Sequence, residues 1–109
     1  MIEYIHENAS GNISLAAMAK VAEVTPHHLA SLFTKSTGLS PHQYVLRVRI
    51  DRAKIHLKDD SLSVAQVSRL VGFRTQEHFT KVFRRVAGVT PSKFREELAN
   101  DASGDARLA

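Results

Sequence analysis

The sequence has no cysteine, no tryptophan, only three prolines and no long hydrophobic run among its 109 residues. Without cysteine, a disulfide scaffold, a thiolate zinc site and a cysteine nucleophile are excluded. No apolar stretch approaches the roughly 20 residues that span a bilayer, and the first residues do not form a signal peptide. From these absences we predict a soluble, cytoplasmic chain that does not bind a membrane.

Positive charge is concentrated in the second half of the chain, although the net charge is only +4. Residues 47–95 carry twelve Lys or Arg against four Asp or Glu. Residues 1–46 carry two against three, and residues 96–109 carry one against four. A basic stretch of this kind is typical of proteins that bind a polyanion such as nucleic acid, but it is also found on ordinary solvated surfaces.

The chain contains two copies of one pattern. Residues 14–24 align with residues 63–73 at an offset of 49, and residues 29–44 align with residues 79–94 at an offset of 50. Apolar type, glycine, proline and aromatic residues stay in register over some thirty positions, and the one-residue change in offset falls at an expected turn. We therefore predict an internal repeat.

Each copy is predicted to form three helices with recognisable boundaries. Ser14 and Ser63 are expected to cap the first helix of each copy, and Ser63 can form a capping box with Gln66. Gly72 can supply the left-handed residue that ends the first helix of the second copy. Its counterpart is Glu23, so the first copy must form the same turn without glycine.

The predicted fold is all-α, with seven helices and no sheet. Two helix-turn-helix subdomains are joined by a long connecting helix at about 41–57, which would be about 25 Å long. The first subdomain, with this helix, covers residues 1–57, and the second covers residues 58–99. Residues 100–109 are small and polar and are expected to be a disordered tail.

The aromatic pairs Phe33/Tyr44 and Phe83/Phe94 recur at equivalent positions of the two copies. They could serve as stacking platforms for bases. However, they lie on the apolar stripe at helical spacing, so we predict that they pack in the core.

In each copy a short helix meets a longer one across a turn of about three residues, which is the helix-turn-helix arrangement. The glycine, proline and aromatic positions resemble the signature of AraC-type transcription regulators. In the second copy this resemblance is carried by Gly72-Phe73, Phe79, Lys81, Phe83, Arg84, Gly88, Thr90-Pro91 and Phe94-Arg95. In the first copy it is carried by Leu29, Phe33, Gly38, Ser40-Pro41, Tyr44, Arg49, Ala53 and Leu57.

The resemblance covers about residues 2–98 and implies a seven-helix domain that binds promoter DNA bipartitely. Its two reading helices would lie in successive major grooves on one face of the duplex. Many members of the family carry a separate ligand-binding or dimerisation domain beforehand. The resemblance thus implies either an excised C-terminal domain, whose N-terminal effector or dimerisation domain is missing, or a small stand-alone regulator.

The resemblance also assigns base contacts to outward positions of the second helix of each copy. These positions are His27, Ala30, Ser31, Gln76, Glu77, His78, Thr80 and Lys81. Alanine contacts only a thymine methyl group, whereas glutamine pairs with adenine, lysine donates to guanine and glutamate accepts from cytosine N4. The second copy is therefore predicted to read DNA more sharply than the first.

Phosphate contacts are predicted at the starts of the third helices, where backbone N–H groups and the helix dipole favour an anion. Further basic side chains are expected to contribute as a set. The predicted phosphate residues are Lys35, His42, Gln43, Arg52, Arg84, Ser92 and Lys93.

Other classes of function have little support in the sequence. The adjacent pair His27-His28 lacks the spacing of a metal site, and no motif indicates a bound metal or cofactor. No nucleophile–base set, glycine-rich phosphate loop or paired carboxylates indicate an enzyme. The alternative that stays open is a helical protein-interaction module that contacts RNA polymerase or another regulator.

Overall fold

The computed structural model describes the backbone of residues 1–108 and the side chains of residues 1–100. This part of the chain is helical and contains no strand, as predicted. The helices are α1 (Ile2–Asn8), α2 (Leu15–Ala22), α3 (Pro26–Thr37), α4 (Pro41–His56), α5 (Val64–Leu70), α6 (Gln76–Ala87) and α7 (Pro91–Leu108).

The chain divides into two compact units, Met1–Arg49 and Ile50–Ala109, which are called the first and second unit below. The boundary lies inside α4, whereas the sequence places it after residue 57. The last turns of α4 belong to the second unit: Leu57, just beyond the helix, is fully buried there, and its carbonyl accepts a hydrogen bond from Arg95.

The predicted caps of the first helix in each copy are confirmed. Ser14 Oγ accepts a hydrogen bond from the backbone N–H of Ala17 at 3.1 Å, which satisfies one of the unpaired amides of α2. The backbone N–H of Ser63 donates to Gln66 Oε1 at 2.7 Å, and the backbone N–H of Gln66 donates to Ser63 Oγ at 3.0 Å. These two bonds form the expected capping box at the start of α5.

The turn after α2 is made without glycine, as the sequence predicts. Glu23 adopts the left-handed conformation with φ 59° and ψ 39°, and its backbone N–H donates to carbonyls of the last turn of α2. At the equivalent position of the second copy, Gly72 also has a positive φ, of 109°. Glu23 is the one non-glycine residue with positive φ in the described part of the chain, so this turn carries backbone strain.

Replacing Glu23 with glycine is expected to stabilise the protein by about 1 kcal/mol, because the relief of left-handed strain exceeds the added chain entropy of glycine. The melting temperature should rise by about 4 °C, measured by circular dichroism. Glu23→Ala is the matched control, since it removes the carboxylate but keeps the Cβ atom that causes the strain. An equal gain in both variants would assign the effect to charge and contradict this explanation.

Each unit has its own hydrophobic core. In the first unit the helices pack around a cluster of buried side chains: Ile5, Ala9, Met18, Ala19, Leu29, Phe33, Val45 and Val48. The predicted aromatic pairs are core pairs in both units. The ring centroids of Phe33 and Tyr44 are 5.3 Å apart, and those of Phe83 and Phe94 are 5.5 Å apart, both edge to face.

Arg49 ties the end of α1 to α4 within the first unit. Its Nε donates to the carbonyl of Ala9 at 2.6 Å, and its Nη2 donates to the carbonyl of Gly11 at 3.1 Å. The guanidinium is half buried, and this burial lowers the pKa of Arg49 from its ordinary value. The bonds satisfy one carbonyl at the end of α1 and one in the loop that follows, so Arg49 has a structural role.

Arg95 makes the corresponding contact in the second unit. Its Nε donates to the carbonyl of Leu57 at 3.0 Å, and its Nη2 donates to the carbonyl of Asp59 at 3.3 Å. The side chain of Asp59 accepts from the Ser61 hydroxyl at 2.6 Å and from the Ser61 backbone N–H at 3.0 Å. These two hydrogen bonds from Ser61 lower the pKa of Asp59. The loop between α4 and α5 is therefore fixed by Arg95, which binds its backbone, and by the hydrogen bonds between Asp59 and Ser61 within it.

Helix α7 continues through the segment for which the sequence predicts a disordered tail. Its backbone is helical to Leu108. The segment has no proline, and alanine and arginine extend a helix that has already begun, although Gly104 and the neighbouring aspartate and serine residues weaken it. The side chains from Asp101 onward, and all of Ala109, lie outside the described residues, and the prediction that residues 100–109 form a disordered tail stays untested.

Candidate nucleic-acid interface

Both units contain the predicted helix-turn-helix arrangement. In the first unit α2 is followed by a short turn and by α3, which Thr25 caps at its start and Gly38 at its end. In the second unit α5 is followed by α6, with Thr75 and Gly88 at the equivalent positions. The two caps hold the ends of α3 and α6, and each of these helices presents an outward face on which the predicted base-reading residues lie.

The outward face of α6 forms a shallow groove together with the start of α7. The residues that line this groove are Gln76, Glu77, Thr80, Lys81, Arg84 and Thr90. It therefore brings together four of the five residues that are predicted to read bases in the second copy. Lys81 and Arg84 are exposed, so a positively charged surface with hydrogen-bonding groups is available to a ligand.

His78 does not line this groove, although it was predicted to read bases. Its ring packs edge to face against Phe73, with the ring centroids 5.3 Å apart, and its backbone N–H donates to Thr75 Oγ1. The side chain therefore covers an aromatic residue of the turn before α6, but it stays exposed, and its role in reading bases stays a prediction. Sequence position alone could not indicate this contact, because the imidazole can turn either way at that point of the helix.

The outward face of α3 carries much less charge than that of α6. His27 and Ser31 are exposed, and Ala30 is half buried. Ser31 stands at the position of Lys81, and Thr34 stands at the position of Arg84. The first unit therefore presents small and neutral groups at the positions where the second unit presents cations.

Two of the predicted phosphate-binding amides are already used in helix caps. The backbone N–H of Gln43 donates to Ser40 Oγ at 3.2 Å, and the Gln43 side chain accepts from the Ser40 backbone N–H at 3.0 Å. The backbone N–H of Lys93 donates to Thr90 Oγ1 at 3.2 Å. A Ser or Thr at the N-cap thus already satisfies the third amide of each helix, and phosphate binding at Gln43 and Lys93 stays a prediction.

The amides of His42 and Ser92, one position earlier in α4 and α7, are not used by these caps. Of the predicted phosphate side chains, Lys35 and Arg84 are exposed. Lys93 Nζ lies 3.9 Å from Glu96 Oε1 in an exposed pair. Arg52 is half buried and already has an intramolecular partner. Phosphate binding by these groups stays a prediction.

Thr90 is a groove residue that the sequence did not indicate as part of the site. Its sequence position identifies it as the cap of α7, and its hydroxyl does accept from the Lys93 backbone N–H. Its place beside Lys81 and Arg84 depends on how α7 packs against α6. No local pattern could predict this proximity, because Thr90 lies nine positions after Lys81 and beyond the end of α6.

Among the described residues, no three histidine, aspartate or glutamate side chains lie close enough together to hold a metal ion. In the same part of the chain, no helix is both long enough and apolar enough to cross a bilayer.

Comparison with known proteins gives consistent matches. Residues 18–97 match the model of a helix-turn-helix domain family. The chain is 36% identical over 97 residues to the Msm operon regulatory protein of Streptococcus mutans, covering 89% of this chain and 35% of that protein. It is 34% identical over 105 residues to the arabinose operon regulatory protein of Escherichia coli, covering 93% of this chain and 36% of that protein.

A solved structure matches over nearly the whole chain. It is an AraC-type DNA-binding-domain regulator from Chromobacterium violaceum, with a TM-score of 0.81 and 27% sequence identity. The match covers 88% of this chain and 86% of that one. The chain spans only about a third of the length of the curated relatives that it matches. The chain belongs to the AraC-type family of helix-turn-helix domains.

Proposed function

We propose that the chain is a sequence-specific DNA-binding module of a transcription regulator, in which α3 and α6 each enter a major groove. The observation that carries this proposal is the groove on α6. It gathers an amide, a carboxylate, hydroxyls and two cations on the outward face of a helix that both of its caps hold in place. These are the side-chain types that read base edges in the major groove.

The groove contains side chains suited to reading bases and a side chain suited to binding a DNA phosphate. Gln76, Glu77 and Lys81 differ in their donors and acceptors, so each favours a different base edge. Arg84 lies further along the helix, where a guanidinium can pair with a phosphate. In the first unit, His27, Ala30 and Ser31 offer fewer contacts, so we expect α3 to discriminate less between bases.

The proposed role is binding rather than catalysis. The relatives named above are regulators of operons, and the groove on α6 has no nucleophile–base pair. No described contact and no relative favours the alternative of a module that binds RNA polymerase or another regulator. That alternative predicts that the chain binds a protein partner when no DNA is present.

Selection of bound sequences from a random duplex pool tests the proposal. At near-physiological salt we expect an enriched motif with two blocks about 10 base pairs apart, because two reading helices on one face of B-DNA lie one helical turn apart. The block that α6 contacts should be sharper than the block that α3 contacts.

Two double variants test which block of the motif each helix contacts. The double variant Gln76→Ala/Lys81→Ala should lose one block and keep the other, and His27→Ala/Ser31→Ala should do the reverse. All four side chains are exposed, so both proteins should fold. A pool without enrichment for the unmodified chain would contradict sequence-specific binding, and identical motifs from both variants would contradict the assignment of the reading helices.

A further inference from the structure

A second groove, in the first unit, exposes aliphatic side chains to solvent. It is lined by residues of α1 and α3, and there Leu32 is 47% exposed and Ile2 is 45% exposed. The apolar residues of this α1–α3 groove are Met1, Ile2, Leu29, Leu32 and Phe33. The acidic residue Glu3 also lines it, so a negative charge accompanies the apolar surface.

The second unit buries the two residues that are equivalent to Ile2 and Leu32. Leu32 aligns with Val82, which is 1% exposed. Ile2 aligns with Ile50, which is completely buried, at the offset of 48 by which the arginine-bound carbonyls of the two units match. Two exposed aliphatic side chains that share one groove, and that the other copy of the pattern buries, indicate a surface that receives a partner.

The second unit of another copy of the chain carries a group that fits this groove. Leu70, at the end of α5, is half exposed, and its sequence neighbours Arg69 and Arg74 are exposed. An aliphatic side chain flanked by cations complements an aliphatic groove that contains the exposed acid Glu3. The charge distribution favours the same pairing, because the first 46 residues are net negative and the basic stretch that follows is strongly positive.

Two other aliphatic side chains are more exposed than Leu70, but each has an acid close to it. Val21 stands at the position of Leu70 in the first copy, and the exposed Glu23 follows it by two residues. Ile55 lies in α4, where Asp51 is four residues earlier on the same side of the helix. Either acid would be repelled by the carboxylate of the groove, so Leu70 is the better occupant.

We propose, building on the function inferred above, that Leu70 of one copy enters the α1–α3 groove of a second copy bound next to it on DNA. A contact centred on one side chain is too small to hold a dimer in solution, so it acts where DNA brings two copies together. The contact joins unlike units and is therefore heterologous. With two blocks per site, a direct repeat places the second unit of one copy beside the first unit of the next, whereas an inverted repeat places like units together. Cooperative binding should therefore be specific to direct repeats.

Mobility-shift titrations test this on duplexes that carry the sequence most enriched by the chain. One duplex has a single site, one has two sites as a direct repeat and one has two as an inverted repeat, with the spacing varied in single base pairs over one helical turn. At its best spacing, the direct repeat should bind the second copy about tenfold more tightly than the single site, because burial of a half-exposed aliphatic side chain contributes on this scale. The inverted repeat should bind two copies independently.

Variants of the two surfaces identify the contact. Leu70→Ser and Ile2→Ser should each abolish the tenfold cooperativity and keep the affinity for the single site, since both side chains are exposed and neither is assigned to DNA. Val21→Ser is the matched control, because it changes the equivalent exposed position of the first copy and should leave the cooperativity intact. An equal mixture of the Leu70→Ser and Ile2→Ser chains should regain cooperativity, since one supplies an intact groove and the other an intact Leu70.

Several results would overturn the proposal while sequence-specific binding stood. Independent binding to direct repeats at every spacing would leave the groove to a different protein. Equal cooperativity on inverted repeats, cooperativity that survives Leu70→Ser, or a mixture that stays non-cooperative would each show that Leu70 and the groove are not partners. Absence of any enriched site would overturn both the proposal and the function on which it rests.

Discussion

Replacing Phe83 with alanine is expected to lower the free energy of unfolding of the second unit by about 3–5 kcal/mol. Phe83 is completely buried, and its ring contacts Phe79 at 5.7 Å and Phe94 at 5.5 Å between centroids. Its removal would leave a cavity between α6 and α7, which the neighbouring rings can only partly fill. A unit of this size has a total stability of roughly the same magnitude, so we expect it to unfold.

Denaturation monitored by circular dichroism measures this effect. Leu70→Ala is the control, because this side chain of α5 is 49% exposed and its loss should cost little. DNA binding by the Phe83→Ala chain should disappear together with the folded second unit. A variant that keeps its melting temperature but binds DNA poorly would show that Phe83 faces the duplex, against its buried position.

The features that the sequence predicted correctly are those that local chemistry determines. The capping box of Ser63 and Gln66 and the left-handed turn at Glu23 each depend on a few neighbouring residues, so the pattern was sufficient. The core positions of Phe33 and Phe83 follow from helical spacing, which both copies repeat. For the aromatic pairs, repetition strengthened the prediction, because the same spacing occurs in both copies.

Two of the predicted site residues make intramolecular contacts that the sequence did not indicate. Gln43 was expected to offer its backbone N–H to a phosphate, but Ser40 lies close enough to accept from it. The ring of His78 packs edge to face against Phe73, although the side chain stays exposed. A single sequence does not reveal such intramolecular contacts, and the roles of Gln43 and His78 at DNA stay predictions.

Contacts between segments that are distant in sequence could not be predicted from local sequence patterns. Thr90 joins the groove of α6 because of how α7 packs. Arg49 and Arg95 were part of the family resemblance without a role, and the structure shows that each binds two carbonyls at the end of an earlier helix. These bonds bridge 36 to 40 residues of sequence, so only the folded chain reveals them.

We expect the affinity for DNA to depend steeply on salt concentration. If the two units together contact about six to eight phosphates, the logarithm of the binding constant should fall with the logarithm of salt concentration at a slope of about −5 to −7. Between about 50 and 200 mM salt, the affinity for a duplex should then drop by roughly 10³- to 10⁴-fold. The basic stretch at residues 47–95 supplies most of the cations for this response.

Single substitutions should show how much each phosphate contact contributes to this slope. Arg84 is exposed in the groove of α6, and its replacement by alanine should make the slope shallower by about 0.9, because one phosphate contact and its counterion release are lost. Lys58→Ala is the matched control, since this exposed cation lies outside the groove and is not one of the predicted phosphate contacts, so the slope should not change. Titrations at four salt concentrations are sufficient to measure the difference. A slope near zero for the unmodified chain would mean that phosphates do not provide the affinity, and a protein partner would then explain the basic surface better.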